Sequence, residues 1–271
     1  MKRSVFLLLI APGILLLTIF LFYPLVVTLA PTFSSNGPSL ARYLAFFSDS
    51  YYLAVFFRTV WIAVVATLVC MILGVPTAYF ISRRRRSKSF LMALSIFPLL
   101  TNPVVRAFAW INILGRNGVL NSLLLSWGWI TTPLTLLYTD FSILIGTIYL
   151  FLPLMIVTLV GSMDTIEEEV TEAAESLGAS RLVTFFKVVL PLSLPGIVVG
   201  SVLVFTGAIT AYSTPNLLGG NKNMLLATLI YQRAMSLADW TSAGVIAFVM
   251  IVMTVVTVMV MQKVSRRLDR R

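Results

Sequence analysis

Apolar residues run along this chain in long blocks, separated by short polar or charged breaks. A bilayer core ~30 Å thick needs about 20 apolar residues of helix. Six stretches reach that length: roughly 5–29, 59–81, 90–114, 141–162, 194–217 and 241–262. They predict an all-α membrane protein with six transmembrane helices and few charges inside them, Arg106 being the exception. The first stretch begins after Lys2 and Arg3, as a signal peptide does. Its apolar part runs on through Phe20, Phe22 and Tyr23 to Leu29, and no small-residue cleavage site follows, so a retained helix is expected.

An even number of spans puts both termini on one side. With the N-terminus cytoplasmic, 14 of the 20 basic residues fall inside: Lys2, Arg3, Arg83, Arg84, Arg85, Arg86, Lys88, Arg181, Lys187, Lys263, Arg266, Arg267, Arg270 and Arg271. Arg42, Arg58, Arg106, Arg116, Lys222 and Arg233 are left outside. That bias satisfies the positive-inside rule and orients both termini to the cytoplasm. The tetra-arginine run at 83–86 reads as a topology anchor, not a nucleic-acid patch. Trp61, Trp110, Trp127, Trp129 and Trp240 all fall near the outer ends of spans, at the interface that indoles prefer. The outer segment 30–57 holds a turn at Ser34, Ser35, Asn36, Gly37 and Pro38, then an aromatic stretch suited to an interfacial helix. Segment 115–140 is expected to hold a short interfacial helix and a turn.

Composition agrees: 59% of the 271 residues are hydrophobic and 11% charged, with a mean hydropathy of +0.97. Soluble domains average about 45–50% apolar and about 25% charged. A soluble enzyme, a disordered chain and a disulfide scaffold are excluded. With no histidine and a single cysteine, Cys70, neither an internal disulfide nor a His/Cys metal site is expected. No internal repeat divides the chain, so 1–271 reads as one domain and not a fused pair of halves.

The inner loop 163–193 stands apart. It carries Asp164, Glu167, Glu168, Glu169, Glu172 and Glu175, six of the ten acidic residues. Asp164 with Glu167 three residues on resembles a capping box. Ile166, Val170, Ala173 and Leu177 then recur on one helical face. Gly178 stands where a C′ glycine ends a helix. Ser180 can cap a second short helix through Leu182, Phe185, Phe186 and Val189, and Pro191 and Pro195 prevent its smooth continuation. An acidic helix is repelled by an anionic inner leaflet. An amphipathic one suits a groove on a cytosolic protein.

Glu172-Ala173-Ala174, three residues, Gly178, nine residues, Val188, one residue and Leu190-Pro191 resembles the EAA loop of permease subunits of ATP-binding-cassette importers. The chain departs from that pattern only in having Val188 for isoleucine. Further stretches are similar to the spermidine/putrescine-type branch: Thr101 to Trp110, Leu114 to Gly118 with Asn121, Thr214 to Gly220, and Asp239-Trp240. The resemblance implies the type I importer permease (MetI-like) fold in a bacterial inner membrane. It also implies a second permease (a paralogue or a second copy), two cytosolic ATPase subunits and a periplasmic solute-binding protein. The ATPase would seat the Ala173–Ala174 face, with Glu172 at its edge meeting a basic or N–H-rich site. No G-x-x-x-x-G-K-[ST] occurs in the chain. It is therefore expected to be no enzyme and to hold no cofactor, ATP being bound by the partners.

Polar or kink-forming residues inside spans are the pathway candidates. Pro98, Thr101, Asn102 and Pro103 interrupt the third span. Arg106, 16 residues beyond Phe90, would lie roughly 24 Å along a straight helix, toward the outer leaflet. An intramembrane arginine faces protein or water. Arg106 is either a gate or solute contact, or a structural ion pair or snorkelling side chain, with Asp140 as a candidate partner. The outer half of the fifth span carries Thr206, Thr210, Tyr212, Ser213, Thr214 and Asn216. Gly196, Gly200 and Gly207 suit close helix packing. By resemblance the solute is a polyamine or related small amine. The six outer basic residues, against Asp49, Asp140 and Asp239, keep an anionic or zwitterionic solute open. A stand-alone secondary transporter or channel would leave the EAA loop unexplained, and the polar residues in the third and fifth spans argue against a membrane protein that merely recruits a partner.

Overall fold

The computed structural model describes residues 3–34, 39–84 and 86–268. The turn expected at 34–38 therefore falls almost wholly outside the described residues, as do Lys2, Arg85, Arg270 and Arg271. Among the described residues the secondary structure is helical. Two compact units emerge, one from residues up to Ala54 with Leu229–Ile251, the other from Val55–Thr228 with Val252 onward.

The first unit contains α1 (Arg3–Ser34), α2 (Ser39–Ser48) and the start of α3 (Ser50–Ser82). It also holds the end of α13 (Leu226–Tyr231), a π-turn over Gln232–Ser236, and the first part of α14 (Trp240–Leu268). Phe33, Tyr43 and Phe248 cluster with ring centroids 5.2–5.5 Å apart. The Tyr43 and Thr32 hydroxyls share a hydrogen bond of 2.8 Å. At Gly244 a β-carbon would lie 2.9 Å from the Thr28 carbonyl oxygen, so α14 meets α1 here only because the residue has no side chain. From Ile10 to Val27 the side chains of α1 are exposed within the chain, the state of a helix that faces lipid or another subunit.

The second unit is built on α7 (Asp140–Met163), which packs against α4 (Lys88–Leu100), α11 (Leu194–Thr210) and α12 (Ser213–Gly219). Its core joins Cys70, Val75, Ala78 and Ile81 of α3 to Met155, Leu159 and Val160 of α7 and Val204 of α11. Cys70 is a buried apolar filler there. The glycines of α11 do what their spacing suggested. A β-carbon on Gly200 would lie 2.6 Å from the Met155 sulfur, and those on Gly196 and Gly207 would run into Ser162 and Phe151 of α7. Lacking side chains, α11 and α7 approach closely along three turns.

Among the described residues, four uninterrupted helices are long and apolar enough to cross a membrane: 10–33, 50–82, 140–163 and 240–263. Two further stretches, 88–126 and 181–210, are helix pairs bent at a short break, and they overlap the expected spans 90–114 and 194–217 only in part. Here the straight-span expectation is corrected. Residues 90–114 do not form one helix: α4 stops at Leu100, and α5 (Pro103–Leu114) with its continuation to Ser126 leaves at 92°. The residue before proline avoids the helical region, and Thr101 and Asn102 are extended (ψ 142° and 130°). The Asn102 side chain then caps the new helix, accepting from the Val104 N–H at 2.8 Å. Likewise α11 ends at Thr210, short of Leu217. Ala211 is extended and α12 starts afresh at Ser213. Pro76 and Pro153, by contrast, sit inside continuous α3 and α7.

Candidate coupling loop and translocation pathway

The loop after α7 folds largely as its pattern dictates, with its start displaced. The capping box does not form. Asp164 closes the end of α7 and pairs with Lys88 at the start of α4. The acidic helix α8 runs Glu168–Ser176, with Glu167 at its N-cap making no side-chain cap bond. Asp164 is drawn to a cation that comes from a distant point in the chain, and a local pattern cannot register that.

At its other end α8 closes in a Schellman motif. Gly178 has φ +88°, its N–H donates to the Glu175 carbonyl (2.9 Å), and the Ala179 N–H donates to the Ala174 carbonyl (3.1 Å). Ser180 then caps α9 (Arg181–Thr184), accepting from the Val183 N–H at 3.4 Å. A π-turn over Phe185–Val189 and α10 (Leu190–Leu192) lead through Ser193 into α11, at 66° to it. Of the motif residues, Glu172, Ala173, Gly178 and Pro191 are exposed, and Ala174, Val188 and Leu190 half-buried.

α8 has two unlike faces. Ile166, before its start, packs into the core. Val170, Ala173 and Leu177 point away from the rest of the chain, Leu177 being 89% exposed. An exposed leucine beside an exposed alanine and valine is a surface suited to a groove on another protein. On the opposite face Glu168, Thr171, Glu172 and Glu175 line a cleft of about 620 Å³. Its other walls are Tyr79, Phe80, Arg83 and Arg84 from the end of α3, with Arg181 from α9.

The pathway candidates gather around the two breaks. Arg106, 6% exposed, does not pair with Asp140. Its Nη1 donates to the Pro98 carbonyl at 2.8 Å, an acceptor that Thr101 Oγ1 also reaches at 2.7 Å. Asp140 instead pairs with Arg58 of α3 at 3.0 Å. The bend explains the partner of Arg106. It folds α5 back on the last turn of α4, whose carbonyls lack helical partners, and the guanidinium satisfies one of them. The depth of roughly 24 Å for a straight helix does not apply to a chain that turns by 92°.

α12 packs against both α5 and α7. Thr214 is buried, its methyl against Gly146 of α7. Tyr212 and Asn216 are half-buried and lie 3.5 Å apart through Oη and Nδ2. Asn102 is exposed and Thr101 half-buried.

Two features received no structural role in the sequence reading, although Asn121 and Asp239 stood in the stretches that carry the resemblance. The fully buried Asn121 amide, on α6 (Val119–Ser126), donates to the carbonyls of Gly115 and Leu134 and accepts from the Leu134 N–H, which pins the connection that follows α6. An asparagine in an apolar helix of eight residues was the signal available. In the first unit, Arg42, Phe46, Asp49, Tyr52, Asp239 and Ser242 line a cavity of about 410 Å³. Hydrogen bonds from Ser242, with weaker help from Arg233 and Arg42, hold the Asp239 carboxyl below the usual carboxylate range.

Long apolar helices with a two-faced helix in the loop between α7 and α11 suit a membrane protein that docks a cytosolic partner. A profile of the family described as binding-protein-dependent transport system inner membrane component matches residues 70–271, and the chain belongs to that family. It is thus a multi-pass protein of the bacterial inner membrane, a transport component of an ATP-binding-cassette importer. Among its relatives is the spermidine/putrescine transport system permease protein PotB of Escherichia coli K12, 30% identical over 263 residues that cover 94% of this chain and 96% of that one. The fold matches that of a bacterial alginate ABC transporter solved with an alginate pentasaccharide-bound periplasmic protein (TM-score 0.83, 18% identity, 98% of this chain and 95% of that one). It also matches the inward-facing MetNI methionine ABC transporter (TM-score 0.55, 16% identity, 82% of this chain and 98% of that one).

Proposed function

We propose that this chain forms, with a second permease, the membrane pathway for a polyamine or related small amine, delivered by a periplasmic binding protein and driven by two cytosolic ATPase subunits. The observation that carries the solute class is the end-to-end 30% identity with a spermidine/putrescine permease. α8 supports the coupling role: it is short, projects from the chain, and turns the apolar surface of Val170, Ala173 and Leu177 outward. The coupling set is Glu172, Ala173, Ala174, Gly178, Val188, Leu190 and Pro191. Gly178 sets the angle between α8 and α9, and the Leu190-Pro191 turn passes displacement of the loop into α11. Thr101, Asn102, Arg106, Tyr212, Thr214 and Asn216 stand at the helix breaks, where a displacement of the loop end would open or close a path.

A second reading, an anionic or zwitterionic solute, draws on the basic excess assigned to the outer segments. Uptake in vesicles holding the complete importer, with and without internal ATP, separates them. Labelled spermidine or putrescine should accumulate only with ATP, and excess unlabelled amino acid or uronic acid should not compete. ATP-independent uptake would overturn the importer mechanism, and competition by acids the amine assignment.

A further inference from the structure

The cleft behind α8 is lined by groups of opposite charge: Arg83 and Arg84 after α3 and Arg181 of α9, against Glu168, Glu172 and Glu175 of α8. Glu168, Glu172 and Glu175 follow the i, i+4, i+7 pattern, so they share one stripe of α8, opposite Val170, Ala173 and Leu177. The motif glutamate therefore faces cations of its own chain. Among the described residues, Glu172 and Glu175 make no ion pair in this structure. Arg83 and Arg84 are held ready: their guanidinium groups stack over the rings of Tyr79 (5.5 Å) and Phe80 (4.9 Å).

The loop is also anchored unequally. Its beginning is tied down by the Lys88–Asp164 pair and by Ile166 in the core. Its far end, at Leu177 and Gly178, is exposed, and a β-carbon at Gly178 would meet nothing within 4 Å. The far end continues through the Schellman turn into α9 and the π-turn, against which α8 packs, so a push there swings α8 and α9 together about the tied beginning. Here the swing would open or close a cleft whose walls attract.

We propose that Arg83 and Arg84 are positioning residues for the coupling helix: Glu172 and Glu175 close onto them when a partner presses on the Val170–Leu177 face. The two faces then have separate tasks. The apolar stripe takes the push from outside, and the acidic stripe transmits it to the end of α3 through charge-assisted hydrogen bonds, which act only at close range. The proposal rests on α8 being the coupling helix. It differs from a glutamate that meets a cation on the ATPase, because the partner charge lies in this chain.

The test uses the importer complex purified from native membranes through a tag on this chain. Glu172→Arg should reduce the ATPase recovered with the permease by about tenfold, and Glu172→Arg with Arg84→Glu should restore most of it. No loss in the single variant, or no recovery in the double, would overturn the proposal. A merely structural loop would not be rescued by reversing both charges.

Arg84 belongs to the stretch that sets topology, so a second measurement leaves its neighbours' charge in place. In a Cys70→Ala background, Arg84→Cys with Glu172→Cys should cross-link within one chain when ATP is present. Absence of that cross-link in every nucleotide state would overturn the closure. Failure of the coupling reading itself looks different: no ATPase would co-purify even with the unaltered permease, while the cross-link would still report whether the cleft closes.

Discussion

Substitution at Gly178 tests the coupling loop with the fewest confounding contacts. The residue has φ +88°, and a β-carbon there would meet no atom within 4 Å. The penalty for a side chain is therefore backbone strain alone, without a clash. A left-handed conformation costs an ordinary L-residue roughly 1–2 kcal/mol, while asparagine tolerates it better. At ~1.4 kcal/mol per factor of ten, Gly178→Ala should lower the fraction of loops holding the corner by about five- to thirtyfold relative to the alternatives. Gly178→Val should do so by more, since a β-branched residue tolerates positive φ worst, and Gly178→Asn by less. The two Schellman bonds, Gly178 N–H to Glu175 and Ala179 N–H to Ala174, would loosen with it, and α9 would lose its angle to α8. Membrane insertion should be unaffected, because the corner lies outside the apolar spans. The assay compares permease abundance, ATPase recovered on the tagged permease, and uptake in the same membranes. The expected order is glycine, asparagine, alanine, valine for both recovery and uptake, at constant abundance. Wild-type recovery in the valine variant, or an order set by side-chain size with asparagine below alanine, would refute the reasoning that φ at this corner controls docking.

Arg106→Ala should leave the Pro98 carbonyl to Thr101 alone and cost about 1–3 kcal/mol, lowering both thermal stability and uptake in a permease that still reaches the membrane; loss of stability without loss of uptake would remove Arg106 from the pathway. Gly207→Leu drives a side chain into the Phe151 ring of α7 and should destabilise by about 1–3 kcal/mol or more, read as a lower detergent-unfolding midpoint. The Asp239 carboxyl is held low in the folded protein, so its contribution is present above the unfolded carboxylate pKa and is lost as pH falls through the folded value. Asp239→Asn should therefore be less stable than wild type near neutrality and converge with it in acid; a constant gap at every pH would refute this. Reporters inserted at 83–88 and at 218–224 should read on opposite sides of the membrane, the first cytoplasmic and the second periplasmic; a shared side would remove the six-span topology.

Much of this protein is legible in its sequence because the deciding physics is local. Apolar length marks a candidate span wherever it occurs, so six stretches were countable before any packing was known, and among the described residues four of them are crossed by uninterrupted helices. The glycine corner was readable because left-handed φ is a single-residue property, and φ at Gly178 is +88°. Ser180 capping and the close approach of Gly196, Gly200 and Gly207 to α7 likewise follow from residue type and spacing. What depends on distant neighbours was not readable. Proline lies within continuous helix at Pro76 and Pro153, yet at Thr101-Asn102-Pro103 the chain turns by 92°. At the turn the Pro98 carbonyl is taken up by Thr101 and Arg106, a contact that spans eight residues and that local pattern does not show. Charges choose partners in three dimensions. Asp140 went to Arg58, although its place at the outer start of a span suggested Arg106, and Asp164 went to Lys88, although local spacing suggested a capping box with Glu167. The pattern of α8 shows that it has an acidic and an apolar stripe. Only its placement beside the end of α3 decides that the acidic stripe looks onto Arg83 and Arg84 and leaves the apolar one free, since a helix's rotation about its own axis is set by what its two ends are tied to.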